Sequence, residues 1–331
     1  MEAAAGGGPP GPAAAPPAAP GDRPARVLVV TGPTGIGKTR VAAELARLAP
    51  VEIVSADSGQ AYRYLNIGTA KPDLAEREAV PYHGLDVVLP TERWSAGRFA
   101  VEARGWIAGI AARGRLPVVV GGTGFWLRAL FEGLFVEPAL DPVRRRQLRA
   151  ALEPLGAEGL ARWAARLDPG YRGGGAQRAS RAVEMALLAG RPLSELQRAA
   201  PPPPPPDGLA PWFAVLRLPR PELARRIGAR TEAMLASGLV DEVQRLIAAG
   251  VPADAPGFEL VGYREVVAHL AAALDGARLA EVIAASTRQY AKRQETWLRH
   301  QLQGPVAWFD AGEEPGVLAK DVLARYRAAT S

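Results

Sequence analysis

Eight consecutive residues constrain this chain more than any others. Gly32-Pro33-Thr34-Gly35-Ile36-Gly37-Lys38-Thr39 fits the pattern G-x-x-x-x-G-K-[ST]. The apolar, β-branched run Arg26 to Thr31 precedes it, and helical periodicity from Lys38 to Leu48 follows it. The unit therefore reads as strand, phosphate-binding loop (P-loop), helix. The loop glycines let backbone N–H groups converge on phosphate oxygens. Lys38 adds a point charge, the Thr39 hydroxyl can ligate Mg2+, and the helix N-terminus favours the same anion. The pattern by itself reports a di- or triphosphate and not which one.

The rest of the chain builds on that unit. Val51 to Ser55 reads as a second strand ending at Ala56-Asp57, 96–113 as a helix, and Leu116 to Val120 as a strand ending at Gly121-Gly122-Thr123. Alternating strands and helices predict an α/β fold with a mostly parallel sheet. Ligands of such sheets lie off the carboxyl ends of the strands. From Asp141 the strand pattern stops, and 142–153, 157–166, 177–189 and 192–199 read as short helices. Six prolines occupy 201–206. They can only be extended and stiff. A strand over 212–218 and helices over 221–236, 239–249, 262–273 and 278–303 follow. The expected organisation is a tail over 1–24, a P-loop NTPase-like core over 25–140, a helical insertion domain over 141–206, and a mostly helical second part of the core over 207–331.

Composition narrows the chemistry. The tail is Ala, Gly or Pro at 20 of its 24 positions, too little apolar surface to offset ordering, so it is expected to be disordered. It has neither the basic start nor the apolar centre of a signal peptide. The 331 residues carry a net charge of +6, and 36 of the 40 basic residues are Arg. Such a surface suits a polyanion, although an Arg-biased genome would give the same count. The chain has no Cys, which excludes disulfides, Cys-ligated zinc and thiol nucleophiles. No apolar run approaches the length of a membrane span.

Asp57 and Gln60 follow the second strand and should share the crevice with the P-loop. A carboxylate there could accept a proton or hold Mg2+ through water; the plainer alternative is a helix N-cap. An ordinary P-loop ATPase expects an apolar strand ending in a Mg2+-binding Asp. Here the strand at 116–120 ends in Gly121-Gly122-Thr123, where the glycines invite close backbone approach of a ligand. The pattern looks like phosphate binding redirected away from nucleotide hydrolysis.

These residues, with Asn66-Ile-Gly-Thr-Ala-Lys-Pro72, Val120-Gly-Gly-Thr-Gly124 and Val261-Gly-Tyr-Arg264, occur in the order found in bacterial tRNA dimethylallyltransferases, and the chain resembles that family over about residues 26 to 310. The resemblance implies transfer of a dimethylallyl group from dimethylallyl diphosphate to N6 of the adenine beside the anticodon (position 37), with Mg2+ as cofactor. Gly32, Pro33, Thr34, Gly35, Ile36, Gly37, Lys38 and Thr39 would hold the diphosphate, with Thr39 on the metal. Asp57 would be the general base on the adenine amino group, Thr123 would contact the diphosphate or its bridging oxygen, and Arg230, in Arg226-Ile-Gly-Ala-Arg230, would neutralise the leaving group.

Four segments match parts of the family that touch tRNA. They are Asp57-Ser58-Gly59-Gln60, Gln177-Arg178-Ala179-Ser180-Arg181, Glu259-Leu260-Val261-Gly262-Tyr263-Arg264 and Thr287-Arg288-Gln289-Tyr290-Ala291-Lys292-Arg293-Gln294. Thr123 and Arg145 match further tRNA-contacting positions. The implied partner is a tRNA anticodon stem-loop, and the implied setting is a cytoplasmic monomer away from any membrane. Two departures matter. Phe125-Trp126 replaces the family's usual Leu-Tyr, which implies a reshaped prenyl pocket. Gly173-Gly-Gly-Ala176 precedes Gln177 and should loosen the start of that helix.

Rival readings remain at this stage. An adenylate isopentenyltransferase would use free AMP, ADP or ATP, but needs neither a helical insertion nor the basic stripe of Arg288, Lys292 and Arg299. An RNA-binding protein with an inert P-loop would not need Lys38, Thr39, Asp57 and Thr123 intact. A small-metabolite kinase lacks its strand-end Asp.

Overall fold

The computed structural model describes residues 24–135, 137–200 and 208–330. Except for Pro24, the expected tail lies outside them, as do all six prolines. The described chain forms two compact units, one from residues up to 131 together with those from 208 onward, the other from 132 to 200.

The first unit opens with β1 (Ala25–Thr31), α1 (Lys38–Leu48), β2 (Val51–Ser55), α2 (Leu74–Ala79), β3 (Tyr82–His83), α3 (Ala96–Ala112), β4 (Leu116–Gly121) and α4 (Gly124–Phe131). The second unit contributes α5 (Pro142–Leu152), α6 (Gly156–Leu167), α7 (Ala176–Leu188) and α8 (Leu193–Ala199). The first unit then resumes with β5 (Leu209–Arg217), α9 (Arg220–Ala236), α10 (Leu239–Ala248), α11 (Tyr263–Leu270), α12 (Gly276–His300), β6 (Val306–Asp310) and α13 (Pro315–Thr330).

The six strands form one sheet in the order β3-β2-β4-β1-β5-β6, and every pairing is parallel. Helices cover both faces, so β1 and β4 read as continuous apolar runs rather than alternating ones. Leu28, Val30, Val118, Val120, Ala214 and Leu216 turn one face toward Val41 and Leu45 of α1 and Leu318 and Val322 of α13. Fully burying a side chain such as Leu45 contributes about 2 kcal/mol. α3 packs against β1, β2 and β4. The chain runs from β1 outward to β2 and β3, returns to β4, and crosses to β5 on the other side of β1. The carboxyl ends of β1, β2 and β4 therefore meet at a topological switch point.

The sequence reading left 304–331 without elements, where β6 and α13 lie. β6 is an edge strand of five residues with a single buried residue, Phe309, and its short apolar run 306–309 does not alternate. β3 has only two residues, too few for a period.

In the second unit, α5, α6 and α7 pack around Leu152, Leu160, Ala164, Ala179, Ala182 and Val183. Asp141 caps α5 by accepting the Val143 and Arg144 N–H groups at 2.7 and 3.1 Å. α7 starts at Gly175 with no side-chain cap, as its glycine run implies. Among the described residues, no helix is long and apolar enough to cross a membrane.

Candidate active site

The P-loop takes its shape from three left-handed or extended glycines. Gly32, Gly35 and Gly37 have φ of 152°, 80° and 103°, which side chains rarely tolerate. A Cβ on Gly32 would also sit 2.9 Å from the Leu216 carbonyl. The Lys38 ammonium folds back on its own loop and donates to the Gly32 and Pro33 carbonyls, both at 3.0 Å. Burial lowers its pKa to about 8, with Asp57 opposing the shift and Arg230 adding to it. Burial likewise lowers the pKa of Arg230, again opposed by Asp57. Two cations from α1 and α9 and one carboxylate from the end of β2 thus share one field.

That field lies in a cavity of about 1380 Å³. Thr34 to Thr39, Asp57, Gln60 and Arg230 line it, with the 66–72 loop on another side. Asp57 is not a helix cap: residues 58–61 form a turn, and its Oδ1 accepts the Gly59 N–H at 3.0 Å. This holds the carboxylate by one oxygen at the edge of the cavity.

Thr123 departs from its expected place. It does not line the cavity. Its Oγ1 accepts the Ser58 N–H at 3.3 Å and pairs with the Tyr290 hydroxyl. Burial, and secondarily the Asp57 charge, push Tyr290 up to about 12, so it remains a phenol.

The glycines at the end of β4 serve the protein's own packing, and of them Gly121 also lines the cavity, where a ligand was expected to approach. A Cβ on Gly121 would lie 2.2 Å from the Ala56 carbonyl oxygen. One on Gly122 would meet Gln294 Nε2 at 2.5 Å and the Gly32 carbonyl at 2.7 Å, and one on Gly124 would enter the Trp297 indole. Phe125 and Trp126 do not reshape the cavity either. Phe125 points to solvent, and Trp126 is buried against Phe99 with ring centroids 4.3 Å apart.

The 66–72 loop is held from behind, in part by Glu242, which the sequence reading missed. Glu242 of α10 accepts the Asn66 N–H at 3.0 Å and the Ile67 N–H at 3.0 and 3.2 Å. Tyr263 of α11 accepts the Gly68 N–H at 3.0 Å. Lys71, buried, donates to the Tyr62 carbonyl, Asn66 Oδ1 and Asp86 Oδ1 at 2.6, 3.0 and 2.8 Å. Gln60 is also internal: Oε1 accepts from Ser55, and Nε2 donates to the Thr69 and Ala70 carbonyls.

The segments expected to face tRNA divide by burial. Arg178, Gln177, Glu259, Arg264, Arg288, Gln289, Lys292 and Arg293 are exposed, whereas Gly59, Gln60, Ala179, Gly262, Tyr263, Ala291 and Gln294 are buried. The buried side chains cannot present themselves to an RNA surface, because helical and turn geometry gives each segment an inner face. Ser58, Ser180, Leu260, Val261 and Thr287 are intermediate. Thr287 bonds the Ile283 carbonyl, and Ser180 bonds Glu184. In the second unit Arg145 is half-buried and pairs with Glu184 at 2.7 Å, a carboxylate that also takes Arg149 at 2.7 Å. Arg181 pairs with Glu137. Burial would raise the Glu184 carboxyl, but the arginine hydrogen bonds more than offset it and hold it below the usual range. Gln294 carried one sequence signal for its inward role: it lies in register with Ala291 and Leu298 on the apolar stripe of a charged helix.

Among the described residues no three His, Cys, Asp or Glu side chains cluster as a metal cage. Thr39 lines the cavity, a position that suits a Mg2+ ion whose remaining ligands would include phosphate oxygens.

Comparison with known proteins agrees with this geometry. A family model described as IPP transferase matches residues 60–301, and one described as isopentenyl transferase matches 25–81. A tRNA dimethylallyltransferase 1 of Trichlorobacter lovleyi is 44% identical over 285 residues, covering 83% of this chain and 91% of its own. A tRNA dimethylallyltransferase of Thermomicrobium roseum is 42% identical over 299 residues, covering 88% and 87%. The solved tRNA isopentenylpyrophosphate transferase of Bacillus halodurans superposes with a TM-score of 0.66 at 29% identity, over 92% of this chain and 96% of that one. A eukaryotic dimethylallyltransferase, crystallised acting on tRNA, gives 0.69 at 26% identity, over 86% and 74%. With its P-loop, its cavity and its relatives in agreement over most of its length, the chain belongs to the IPP transferase family.

Proposed function

We propose that this chain transfers a dimethylallyl group from dimethylallyl diphosphate to N6 of the adenine 3′ to the anticodon of a tRNA, releasing diphosphate. The observation that carries this reading is the meeting of Lys38, Arg230 and Asp57 in one cavity. Two cations and a loop of N–H donors suit a diphosphate, and Asp57, the carboxylate whose charge acts on both cations, suits a proton acceptor.

In this reaction the adenine N6 attacks the first carbon of the prenyl group. The bond from that carbon to the diphosphate oxygen breaks, and the electron pair leaves with the diphosphate. Lys38, Arg230 and the loop amides stabilise the charge that builds there. Asp57 takes the N6 proton, oriented by its bond to the Gly59 N–H. Thr123 acts through the Ser58 N–H, holding the turn that presents Asp57. Mg2+, held by Thr39 and the diphosphate, would supply further neutralisation of the leaving group. The adenine has to leave its stack, which costs less in a single-stranded loop. Exposed Arg178, Arg264, Arg288, Lys292 and Arg293 supply positive charge for the tRNA backbone.

The test is incubation with labelled dimethylallyl diphosphate and either a tRNA anticodon stem-loop or AMP. Label is expected in the tRNA alone. Label in AMP alone would replace this reading with that of an adenylate isopentenyltransferase.

A further inference from the structure

α12 does more than carry a basic surface. Its exposed side bears Arg288, Lys292 and Arg299, while its inner side reaches the phosphate-binding machinery through Gln294. The Gln294 amide is buried and spent at both ends. Oε1 accepts the Thr34 N–H of the P-loop at 2.8 Å, and Nε2 donates to the Gly122 carbonyl after β4 at 2.8 Å. No hydrogen bond between the P-loop and the β4 turn replaces this bridge among the described residues. The turn is built to receive it. A Cβ at Gly122 would occupy the Gln294 amide, and one at Gly124 would occupy the Trp297 ring one turn further along α12. Beside the bridge, Tyr290 joins Gln294 to Thr123, whose hydroxyl takes the Ser58 N–H next to Asp57.

We infer that Gln294 is a positioning residue that sets the P-loop against the β4 turn, and so places the diphosphate cradle relative to Asp57. A P-loop binds through backbone N–H groups, so its affinity depends on the direction in which those groups point. Thr34 lies in the middle of the loop, and its N–H is committed to Gln294 rather than to a ligand. That fixes the peptide plane and leaves Gly35 to Thr39 to face the cavity. A side chain with one acceptor and one donor at this spacing is needed, because a buried N–H and a buried carbonyl must both be satisfied. The bridge also means that a tRNA resting on the outer side of α12 and a diphosphate in the loop bear on the same rigid helix. This second consequence rests on the function proposed above. The bridge itself does not.

The experiment uses pyrophosphate with Mg2+ as the probe and reads affinity by calorimetry, together with the rise in melting temperature that pyrophosphate causes in each protein. In Gln294→Met, which keeps the volume and loses both bonds, pyrophosphate affinity should fall about tenfold, the worth of one strong hydrogen bond. Gln294→Glu keeps the acceptor for Thr34 but loses the donor to Gly122, and should fall at least as far. Affinity for a tRNA stem-loop should stay within about twofold, since the basic side of α12 is intact. A variant that melts earlier yet gains the full pyrophosphate-induced stabilisation would overturn the inference, because Gln294 would then be structural only. Equal affinities in wild type and both variants, or no pyrophosphate binding in any of them, would also overturn it. Failure of the wild type to prenylate tRNA would count against the proposed function, while the pyrophosphate comparison would still decide the role of Gln294.

Discussion

The Tyr263 hydroxyl donates to Glu242 at 2.6 Å while accepting the Gly68 N–H at 3.0 Å, so one phenol ties α10 and α11 to the wall of the cavity. Burial, with the Glu242 charge second, raises the Tyr263 pKa far above the ordinary tyrosine range, which keeps the proton in that bond. Tyr263→Phe removes an acceptor and a donor without changing shape. It should cost about 2 kcal/mol, read as a shifted urea midpoint at unchanged slope. Gly68→Ala should cost more, because its Cβ would lie 2.5 Å from the Tyr263 ring. A Tyr263→Phe protein as stable as wild type would show that the phenol is dispensable to the loop.

Asp57→Asn removes a proton acceptor while keeping the oxygen that receives the Gly59 N–H. Transfer should fall by at least about 10²-fold, with tRNA affinity nearly unchanged. Single-turnover transfer and a filter-binding assay measure the two quantities. A rate within about threefold of wild type would return Asp57 to the role of a turn residue.

Lys38 gives the site a pH signature. Burial lowers its pKa from the ordinary 10.5 to about 8, so between those values the unfolded chain binds more protons than the folded one. The ligand-free protein should therefore gain stability from this group as pH rises across that window. Pyrophosphate binding should change the other way, since it needs the ammonium. The advantage of wild type over Lys38→Ala, roughly 10–100-fold at pH 7, should shrink as pH passes 8. Comparing two proteins cancels the titration of pyrophosphate itself. A ratio constant from pH 7 to 9.5 would show that Lys38 stays charged.

Arg145 pairs with Glu184 at 2.7 Å and keeps about a third of its side chain exposed. If it contacts tRNA, log affinity plotted against log salt should lose about 0.7 of slope in Arg145→Ala. Pyrophosphate affinity should not change. An unchanged slope would assign Arg145 to the Glu184 ion pair alone, a bond internal to the helical unit.

The P-loop, the parallel core and the helices between 142 and 199 were legible in the sequence because each is a local pattern. A β-branched run, a glycine spacing and a helical period depend on neighbours within a few residues, and a loop with φ of 80° and 103° demands glycine wherever the rest of the chain goes. The local spacing likewise put Asp57 in one crevice with the P-loop. The tertiary structure alone decided what Gln294, Glu242 and the glycines after β4 do. Gln294 meets Thr34 across 260 residues of sequence, and Glu242 meets Asn66 across 176. Spacing can set Gln294 on the inner side of a charged helix but cannot show which groups it meets there, or whether a glycine makes room for a ligand or for a tryptophan from a distant helix. The packing of remote elements sets those directions. A buried polar group must find its partner among whatever that packing brings close.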